Sequence, residues 1–442
     1  MMANRNWWMV GLSALAVGMA SGSLRATGQT PPTLLEPSIA YVGVSSCASV
    51  ACHGGPNTSP SKWQSSYTVW VTKDRHAKAY SVLWEPRSKD IVRLLGGVNS
   101  PQPPVPWKDA RCLACHSLTG MTADLSIASD GVSCEACHGA ASHWLVPHTT
   151  AAWGKLASDK KYAARFGMQN TKDLIPRAEV CIGCHIGQAG SRDESRGDVT
   201  HEMIAAGHPR LAFEFSAYMA NMPAHWNPAA HAAKREASAW VVGQALSAEA
   251  AKQLRATHAA RGSVEFADYD CFACHHDLQS ESWRQIDSDA DRDLRSAPGE
   301  LRLGTWYTGM IGQVQALSKL DLQSSTAPES AEALEAWING QDAQELRQVM
   351  ADVATQGAQA LHWDDATQYY LGLLALDNAR RDDLKAPDGE PSENDKRIRE
   401  RIKLLNQELS FPKNLNSPRN YDPKQFRAEL GYLSDLLTGK NN

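Results

Sequence analysis

The cysteines of this 442-residue chain fall into five groups, and a histidine directly follows the second cysteine of every group. Two residues separate the cysteines in four groups, and four residues separate them in the first. We call the groups motifs 1 to 5 in chain order. They are Cys47, Cys52 and His53; Cys112, Cys115 and His116; Cys134, Cys137 and His138; Cys181, Cys184 and His185; and Cys271, Cys274 and His275. All 10 cysteines belong to this pattern.

The spacing Cys-x-x-Cys-His is the attachment sequence of c-type haem. Two thiols bind the vinyl groups at one edge of the porphyrin, and the histidine that follows places its imidazole on the iron. The longer motif 1 can also attach a haem if its two extra residues bulge outward. A structural zinc site needs four ligands and does not require a histidine after each cysteine pair, and disulfide bonds do not require one either. The sequence therefore predicts five covalently attached c-type haems with five proximal histidines.

The remaining histidines are candidates for the second axial ligands. An iron with two imidazoles is six-coordinate and suited to electron transfer. Of the histidines outside the motifs, only His362 lies in the last third of the chain. His276 directly follows a proximal ligand, so it either serves a neighbouring haem or forms a hydrogen bond. The candidate ligands are His76, His143, His148, His201, His208, His225 and His258, with His231 in the same region.

Local patterns predict where some of these histidines lie. Apolar residues between Trp70 and Leu83 are spaced for an amphipathic helix that carries His76. His201 and His208 are separated by about two helical turns, which favours one face of a helix that ends at Pro209. A helix that begins near residue 229 is expected to end at His258.

The N-terminus predicts export. An apolar run from Trp7 to Ala20 follows Arg5 and precedes several small residues, as in a signal peptide of about residues 1–26. The run is too short to cross a bilayer, and no later stretch is apolar enough to do so. We therefore expect no stable membrane span after signal cleavage and a periplasmic or otherwise extracytoplasmic location, which is where c-type haem is attached.

The composition limits the partners that this chain can have. Hydrophobic residues make up 43% and charged residues 21%, which is typical of a globular protein, and the formal net charge is −5. The chain has no basic run, so no nucleic-acid partner is expected. The expected partners are redox proteins, either other cytochromes or quinol-linked enzymes, and the oligomeric state stays open.

The fold class that we predict is mainly α, with little or no sheet. Residues 43–295 are expected to form a multihaem cytochrome domain whose core is packed with haem, and residues 296–442 a helical C-terminal domain. Leu346, Val349, Met350 and Val353 share one helical face. A second helix is expected from Trp363 to Leu376, with acidic residues in its first turn.

Residues 43 to about 150 resemble the cytochrome c-554 family of multihaem cytochromes, and the runs from His201 to Arg210 and from Tyr269 to Asp277 resemble larger relatives of the same group, so that the resemblance extends to about residue 295. The features that carry this resemblance are motif 1, the His-Ala-x-Ala segment at His76, motif 2, and Gly131-Val-Ser before motif 3. The resemblance implies that His76 binds the iron of the motif 3 haem and that His148 or His143 binds that of motif 1. It also implies that the haem of motif 2 can lack a second ligand. The longer motif 1 and the presence of motif 5 depart from the family pattern.

Two functions follow from these observations. The first is electron transfer outside the cytoplasm by a pentahaem c-type cytochrome, in which every iron has two imidazole ligands. The alternative is an oxidoreductase that acts on a small nitrogen or sulfur compound at a five-coordinate haem held by Cys112, Cys115 and His116. The sequence contains enough further histidines to give every iron a second ligand, which favours electron transfer. It predicts no catalytic side chain.

Overall fold

Helices dominate the part of the chain that the structure, a computed structural model, describes. The described residues are 38–58, 61–96, 104–118, 125–187, 197–226, 234–262, 264–275, 301–360, 362–383, 392–411, 413 and 421–440. The predicted signal peptide, His231, His276 and the predicted domain boundary near residue 295 lie outside them. Residues 39–442 form one compact unit.

The helices of the first part are short. They are α1 (Ser66–Lys73), α2 (Pro86–Leu95), α3 (Ala110–His116), α4 (Leu125–Ala128), α5 (Cys134–His138), α6 (Ala151–Gly154), α7 (Ser158–Lys161), α8 (Leu174–His185), α9 (His201–Ala205) and α10 (Phe215–Asn221). Short 3₁₀ helices lie at Val44–Ser46, Lys62–Ser65, Arg75–Lys78, Ser81–Trp84, Pro106–Lys108, Pro147–Thr149 and Phe266–Asp268.

Longer helices follow from residue 235 onward. They are α11 (Arg235–Ala260), α12 (Cys271–Cys274), α13 (Ile311–Ser318), α14 (Ala327–Gly340), α15 (Ala343–Gly357), α16 (Trp363–Asp383), α17 (Glu393–Leu409) and α18 (Pro423–Thr438). Only one isolated β-bridge, between Tyr269 and Leu303, occurs in the described residues. The prediction of a mainly α fold is confirmed.

Motifs 2 to 5 lie on helices. The second cysteine of each follows the first by three residues, so both thiols lie on one helical face. Aspartate side chains cap the N-termini of two of these helices. Asp109 accepts a hydrogen bond from the backbone N–H of Arg111, and Asp270 accepts one from the backbone N–H of Phe272. Motif 1, with its two extra residues, lies instead in turns that follow the 3₁₀ helix Val44–Ser46.

The region around motifs 1 to 3 has little apolar core of its own. The buried cluster there consists of Ala141, Trp144 and Trp153, with partly buried neighbours such as Phe166. A domain buries most of its apolar side chains against other side chains, unless a cofactor takes that place. The small cluster therefore supports the expectation that haem supplies much of this core.

The main core surrounds α11. Trp240 of this helix is fully buried, and it packs against Gly372 of α16. The same core continues from α8, which carries motif 4, through α11 to α14 and α18. The motif-bearing part and the C-terminal helices are therefore joined by one apolar core.

The C-terminal helices agree with the sequence pattern. Leu346, Val349, Met350 and Val353 are buried on one face of α15, and the helix expected from Trp363 is α16. Capping boxes begin α14 and α15, since Thr326 pairs with Glu329 and Asp342 with Glu345.

The prediction of one amphipathic helix between Trp70 and Leu83 is wrong. Helix α1 ends at Lys73, and separate 3₁₀ turns follow it. The cause is Asp74, whose carboxylate accepts from both the backbone N–H and the ring Nδ1 of His76. Such a local side-chain bond competes with the helical backbone pattern.

Candidate metal centres

Each motif histidine faces the ring of one histidine from elsewhere in the chain. The ring centroids of His53 and His148 are 6.2 Å apart. The corresponding distances are 6.4 Å for His116 and His208, 6.4 Å for His138 and His225, 6.1 Å for His185 and His76, and 6.2 Å for His275 and His201. We call these imidazole pairs 1 to 5, after the motif that supplies one member.

This spacing fits one metal ion between the two rings of each pair. A metal–imidazole bond is about 2.0 Å long, and the ring centroid lies roughly 1.1 Å behind the nitrogen. Two imidazoles on opposite faces of one haem iron therefore have centroids about 6.2 Å apart. All five pairs match the iron-bridged distance to within a few tenths of an ångström.

Hydrogen bonds at Nδ1 turn six of these ten rings so that Nε2 can face a metal. Among the motif histidines, Nδ1 of His53 bonds the carbonyl oxygen of Trp63 at 2.7 Å and that of His116 bonds the carbonyl oxygen of Ala79 at 2.8 Å. The other such bonds are His76 to Asp74, His138 to Thr171, His148 to Leu145 and His208 to Pro209. Bonds of this kind fix the tautomer and the orientation of a metal-binding imidazole.

The non-motif members of the pairs lie in short elements or next to them. His76 and His148 are in 3₁₀ helices, and His201 is the first residue of α9. His208 lies after α9 has ended at Ala205, so it does not share a helical face with His201. The two histidines consequently serve different pairs, because the chain turns between them at Gly207, where φ is +113°.

Exposed apolar side chains surround the outer pairs. Val50 and Val146, which flank pair 1 in sequence, are 75% and 73% exposed. At pair 5, the half-exposed ring of Phe266 contacts His201 edge-on, with centroids 5.7 Å apart. Apolar side chains beside an imidazole pair are what a porphyrin face would cover, so these residues fit the proposed cofactor.

The pairs differ from those that the family resemblance implies. His76 faces the motif 4 histidine, and the motif 3 histidine faces His225 instead. His116 of motif 2 faces His208, although the resemblance allows this centre to lack a second ligand. For motif 1 the two alternatives were His148 and His143, and the structure brings His148 to His53.

Two candidate ligands lie outside the pairs. Nδ1 of His143 bonds the carbonyl oxygen of Arg165 at 3.0 Å. His258 is buried near the end of α11, where Nε2 bonds Asp198 at 2.7 Å and Nδ1 bonds Asp268 at 2.8 Å. Both nitrogens of His258 are therefore occupied by carboxylates, and in this arrangement neither is available to an iron. His362 lies in the C-terminal part, with Nδ1 3.9 Å from a carboxylate oxygen of Asp270.

The electrostatic setting of His258 differs from that of the paired rings of His138 and His185. Burial lowers its pKa, but the hydrogen bonds and charges of Asp198 and Asp268 raise the pKa by more, to about 9. The pKa values of the paired rings of His138 and His185 are shifted in the opposite direction, because burial lowers each of them to about 4. A neutral imidazole is the form that binds a metal, and burial favours that form at His138 and His185.

The sequence analysis did not identify the residues that support the pairs. Thr171 places its hydroxyl 3.2 Å from Nδ1 of His138, and Arg177 donates to the carbonyl oxygen of Thr171. The buried carboxylate of Asp74 holds His76 from two residues away. A sequence signal existed only for Asp74, because an aspartate two residues before a histidine can bond its ring locally.

Comparison with known proteins gives one family. Residues 46–139 match the family model described as cytochrome c554 and c-prime. This stretch contains motifs 1 to 3 and His76, and the match supports the resemblance and a c-type cytochrome role in electron transfer. No curated protein and no solved structure matches the chain. Within the described residues, no helix has both the length and the apolar character needed to cross a membrane.

Proposed function

We propose that this protein is an exported pentahaem c-type cytochrome that transfers electrons through five irons, each with two histidine ligands. The observation that carries the proposal is the set of five imidazole pairs, each joining one motif histidine to one other histidine at 6.1–6.4 Å. Haem supplies the one-electron chemistry. The ten motif cysteines would hold the cofactors covalently, as the motif chemistry requires.

The protein's own contribution would be to supply two imidazoles to each iron. An iron held in this way would change its charge without gaining or losing a ligand. The Nδ1 hydrogen bonds hold the rings in place during that change. A rigid ligand set of this kind favours electron transfer over chemistry at the metal.

Contacts between motifs support an order for the five centres. The thiols of Cys47 and Cys134 are in hydrogen-bond contact, which brings motifs 1 and 3 together. The Cys115 Sγ lies 3.9 Å from the carbonyl oxygen of Cys184, which joins motifs 2 and 4. Helix α5, which carries motif 3, contacts helix α8, which carries motif 4.

The fifth centre connects to the second through the chain, because His201 and His208 lie in one short segment. The proposed path therefore runs through motifs 1, 3, 4, 2 and 5. Motifs 1 and 5 form its ends, and the expected redox partners, other cytochromes or quinol-linked enzymes, would exchange electrons there. Export to the periplasm and a domain boundary near residue 295 belong to the same proposal.

The alternative enzyme function receives no support from the geometry. It requires an open position on the iron at Cys112, Cys115 and His116, where a substrate would bind. His208 faces His116 at the distance expected for a second ligand. We therefore assign no catalytic residue.

The haem content and spin state of the purified, exported protein test this proposal. The mass of the denatured protein should exceed that of the mature chain by five haem groups. Electron paramagnetic resonance of the oxidised protein should show low-spin iron only, and the reduced protein should not take up carbon monoxide. A smaller haem count would contradict the pentahaem assignment, and a high-spin haem that binds carbon monoxide would favour the enzyme.

A further inference from the structure

Arg177 lies in the first turn of α8, eight residues before the motif 4 histidine, and its guanidinium is partly buried. Its Nε donates to the carbonyl oxygen of Thr171 at 2.6 Å, and one amino group donates to that of Lys172 at 3.4 Å. The other amino group, NH1, is buried and has no hydrogen-bond partner. The bonds of this guanidinium go to backbone carbonyls and not to a carboxylate, so its charge is not neutralised by them.

The same side chain is connected to both rings of pair 3. On one side, Thr171 links it to the motif histidine, because the Thr171 hydroxyl lies 3.2 Å from Nδ1 of His138. On the other side, the guanidinium lies over the ring of Trp226, 5.3 Å from its centroid. Trp226 in turn contacts His225 edge-on at 5.0 Å. Arg177 is thus linked to both rings of pair 3, through one intervening residue on each side.

A buried donor without a partner costs about 1–3 kcal/mol, and more when the group is charged. A guanidinium presents paired N–H groups that match a carboxylate. Haem carries two carboxylate side chains, so the cofactor itself can supply the anion that these hydrogen bonds lack. The links of Arg177 to both rings of pair 3 point to the haem of motif 3 as the source of this carboxylate.

We propose that Arg177 binds a carboxylate of the haem held by Cys134 and Cys137 and that its charge raises the reduction potential of this haem. The inference rests on the proposed pentahaem function. The direction follows from charge: oxidation adds a positive charge to the iron centre, and a nearby buried cation makes that state less favourable. In the proposed electron path this haem lies next to the first.

The test compares Arg177→Gln and Arg177→Lys with the unchanged protein. The haem count is measured first, since a count below five in the unchanged protein contradicts the proposed function and says nothing against a role of Arg177. The motif 3 signal is assigned as the low-spin signal that a His225→Ala variant loses. Potentials are then measured by redox titration with detection by electron paramagnetic resonance.

We expect Arg177→Gln to raise the ratio of oxidised to reduced motif 3 haem about tenfold at a fixed potential, which equals about 59 mV for one electron. The potential of this haem should also become pH-dependent between about pH 5 and 8, because a buried carboxylate without its cation has a raised pKa. Arg177→Lys, which keeps the charge, should stay within about threefold of the unchanged protein.

Two further variants separate the charge from simple positioning. Thr171→Val removes the hydroxyl beside His138 but keeps the cation, so it should not produce the pH dependence. Arg347→Gln is the matched control, because Arg347 also donates to two backbone carbonyls, those of Leu436 and Leu437, in the C-terminal helices. An unchanged motif 3 potential in Arg177→Gln would overturn the proposal. A Lys variant whose ratio of oxidised to reduced motif 3 haem is shifted about tenfold from that of the unchanged protein would overturn it too, and this criterion holds even when the Gln variant fails to fold.

Discussion

At the residue scale, the relative orientation of the two imidazole planes differs among the five pairs. The planes of pair 1 are nearly parallel, at 10°, whereas those of pairs 2, 3 and 4 are nearly perpendicular, at 89°, 77° and 81°. Pair 5 is intermediate at 35°. Parallel planes separate two iron d-orbitals in energy that perpendicular planes leave nearly equal, and this difference is visible by spectroscopy.

The first prediction concerns these orientations. The oxidised protein should give a rhombic low-spin signal from pair 1 and strongly anisotropic low-spin signals from pairs 2, 3 and 4. The measurement is low-temperature electron paramagnetic resonance, with His148→Ala to remove the rhombic signal. Five equivalent rhombic signals would contradict the plane angles of the structure.

The second prediction concerns His208. Replacing it with alanine should leave the motif 2 iron with one imidazole, so one haem in five should become high-spin and bind carbon monoxide. His143→Ala is the control, because the ring of His143 bonds the carbonyl oxygen of Arg165 and faces no motif histidine. Carbon monoxide binding by the unchanged protein, or none by His208→Ala, would show that His208 is not the second ligand.

The third prediction concerns pH and His258. Because the folded-state pKa of His258 is raised from 6.5 to about 9, its contribution to stability is fully present below pH 6.5 and is lost as the pH rises through 9. The full contribution is on the order of 3 kcal/mol. Urea unfolding at pH 6 and pH 9.5 should therefore show a smaller loss of stability for His258→Gln than for the unchanged protein. Equal losses in both proteins would argue against the two carboxylate bonds.

These residues show how far sequence reasoning could reach. The motif cysteines and histidines are adjacent in the chain, so their chemistry is readable from spacing alone. The second histidine of each pair comes from a distant segment, so its assignment depends on packing that local patterns do not encode. The carboxylate partners of His258 could not be predicted, because Asp198 and Asp268 lie in separate segments on either side of it in the sequence.

At the element scale, the helices follow from pattern where the protein supplies its own core. Leu346 and its neighbours on α15 were predictable because they pack against other side chains with helical periodicity. Around motifs 1 to 3 the elements are short and are set by local bonds, such as those of Asp74 with His76. Periodicity fails there because the buried faces would contact cofactor instead of neighbouring helices.

The fourth prediction belongs to the contact between α11 and α16. A Cβ atom at Gly372 would lie 2.7 Å from Cζ2 of the fully buried Trp240. Gly372→Ala should therefore destabilise the fold by about 1–3 kcal/mol, as measured by urea unfolding. Gly431→Ala on α18 is the control, since nothing lies within 4 Å of its added Cβ and helix propensity favours alanine. Similar effects of the two substitutions would contradict the tight packing of α11 on α16.

At the scale of the whole molecule, the main apolar core and pair 1 occupy different places. The core links α8 and α11 with the C-terminal helices, whereas pair 1 lies where the buried cluster contains three side chains. Removal of the cofactors should therefore affect the two regions unequally. The C-terminal helices can retain side-chain packing, while the segment around pair 1 would lose most of what it packs against.

The five pairs also have a shared order along the sequence. The first members of pairs 1, 4, 2 and 3 are His53, His76, His116 and His138, and their second members follow in the same order, as His148, His185, His208 and His225. Each loop closed by one pair therefore contains one end of every other loop in this set. Interleaved loops of this kind cannot close one after another as separate hairpins, because each closure is made across a stretch that another must also bridge. High contact order of this type slows folding, so maturation of this region should proceed as one late cooperative step after all the cofactors are attached.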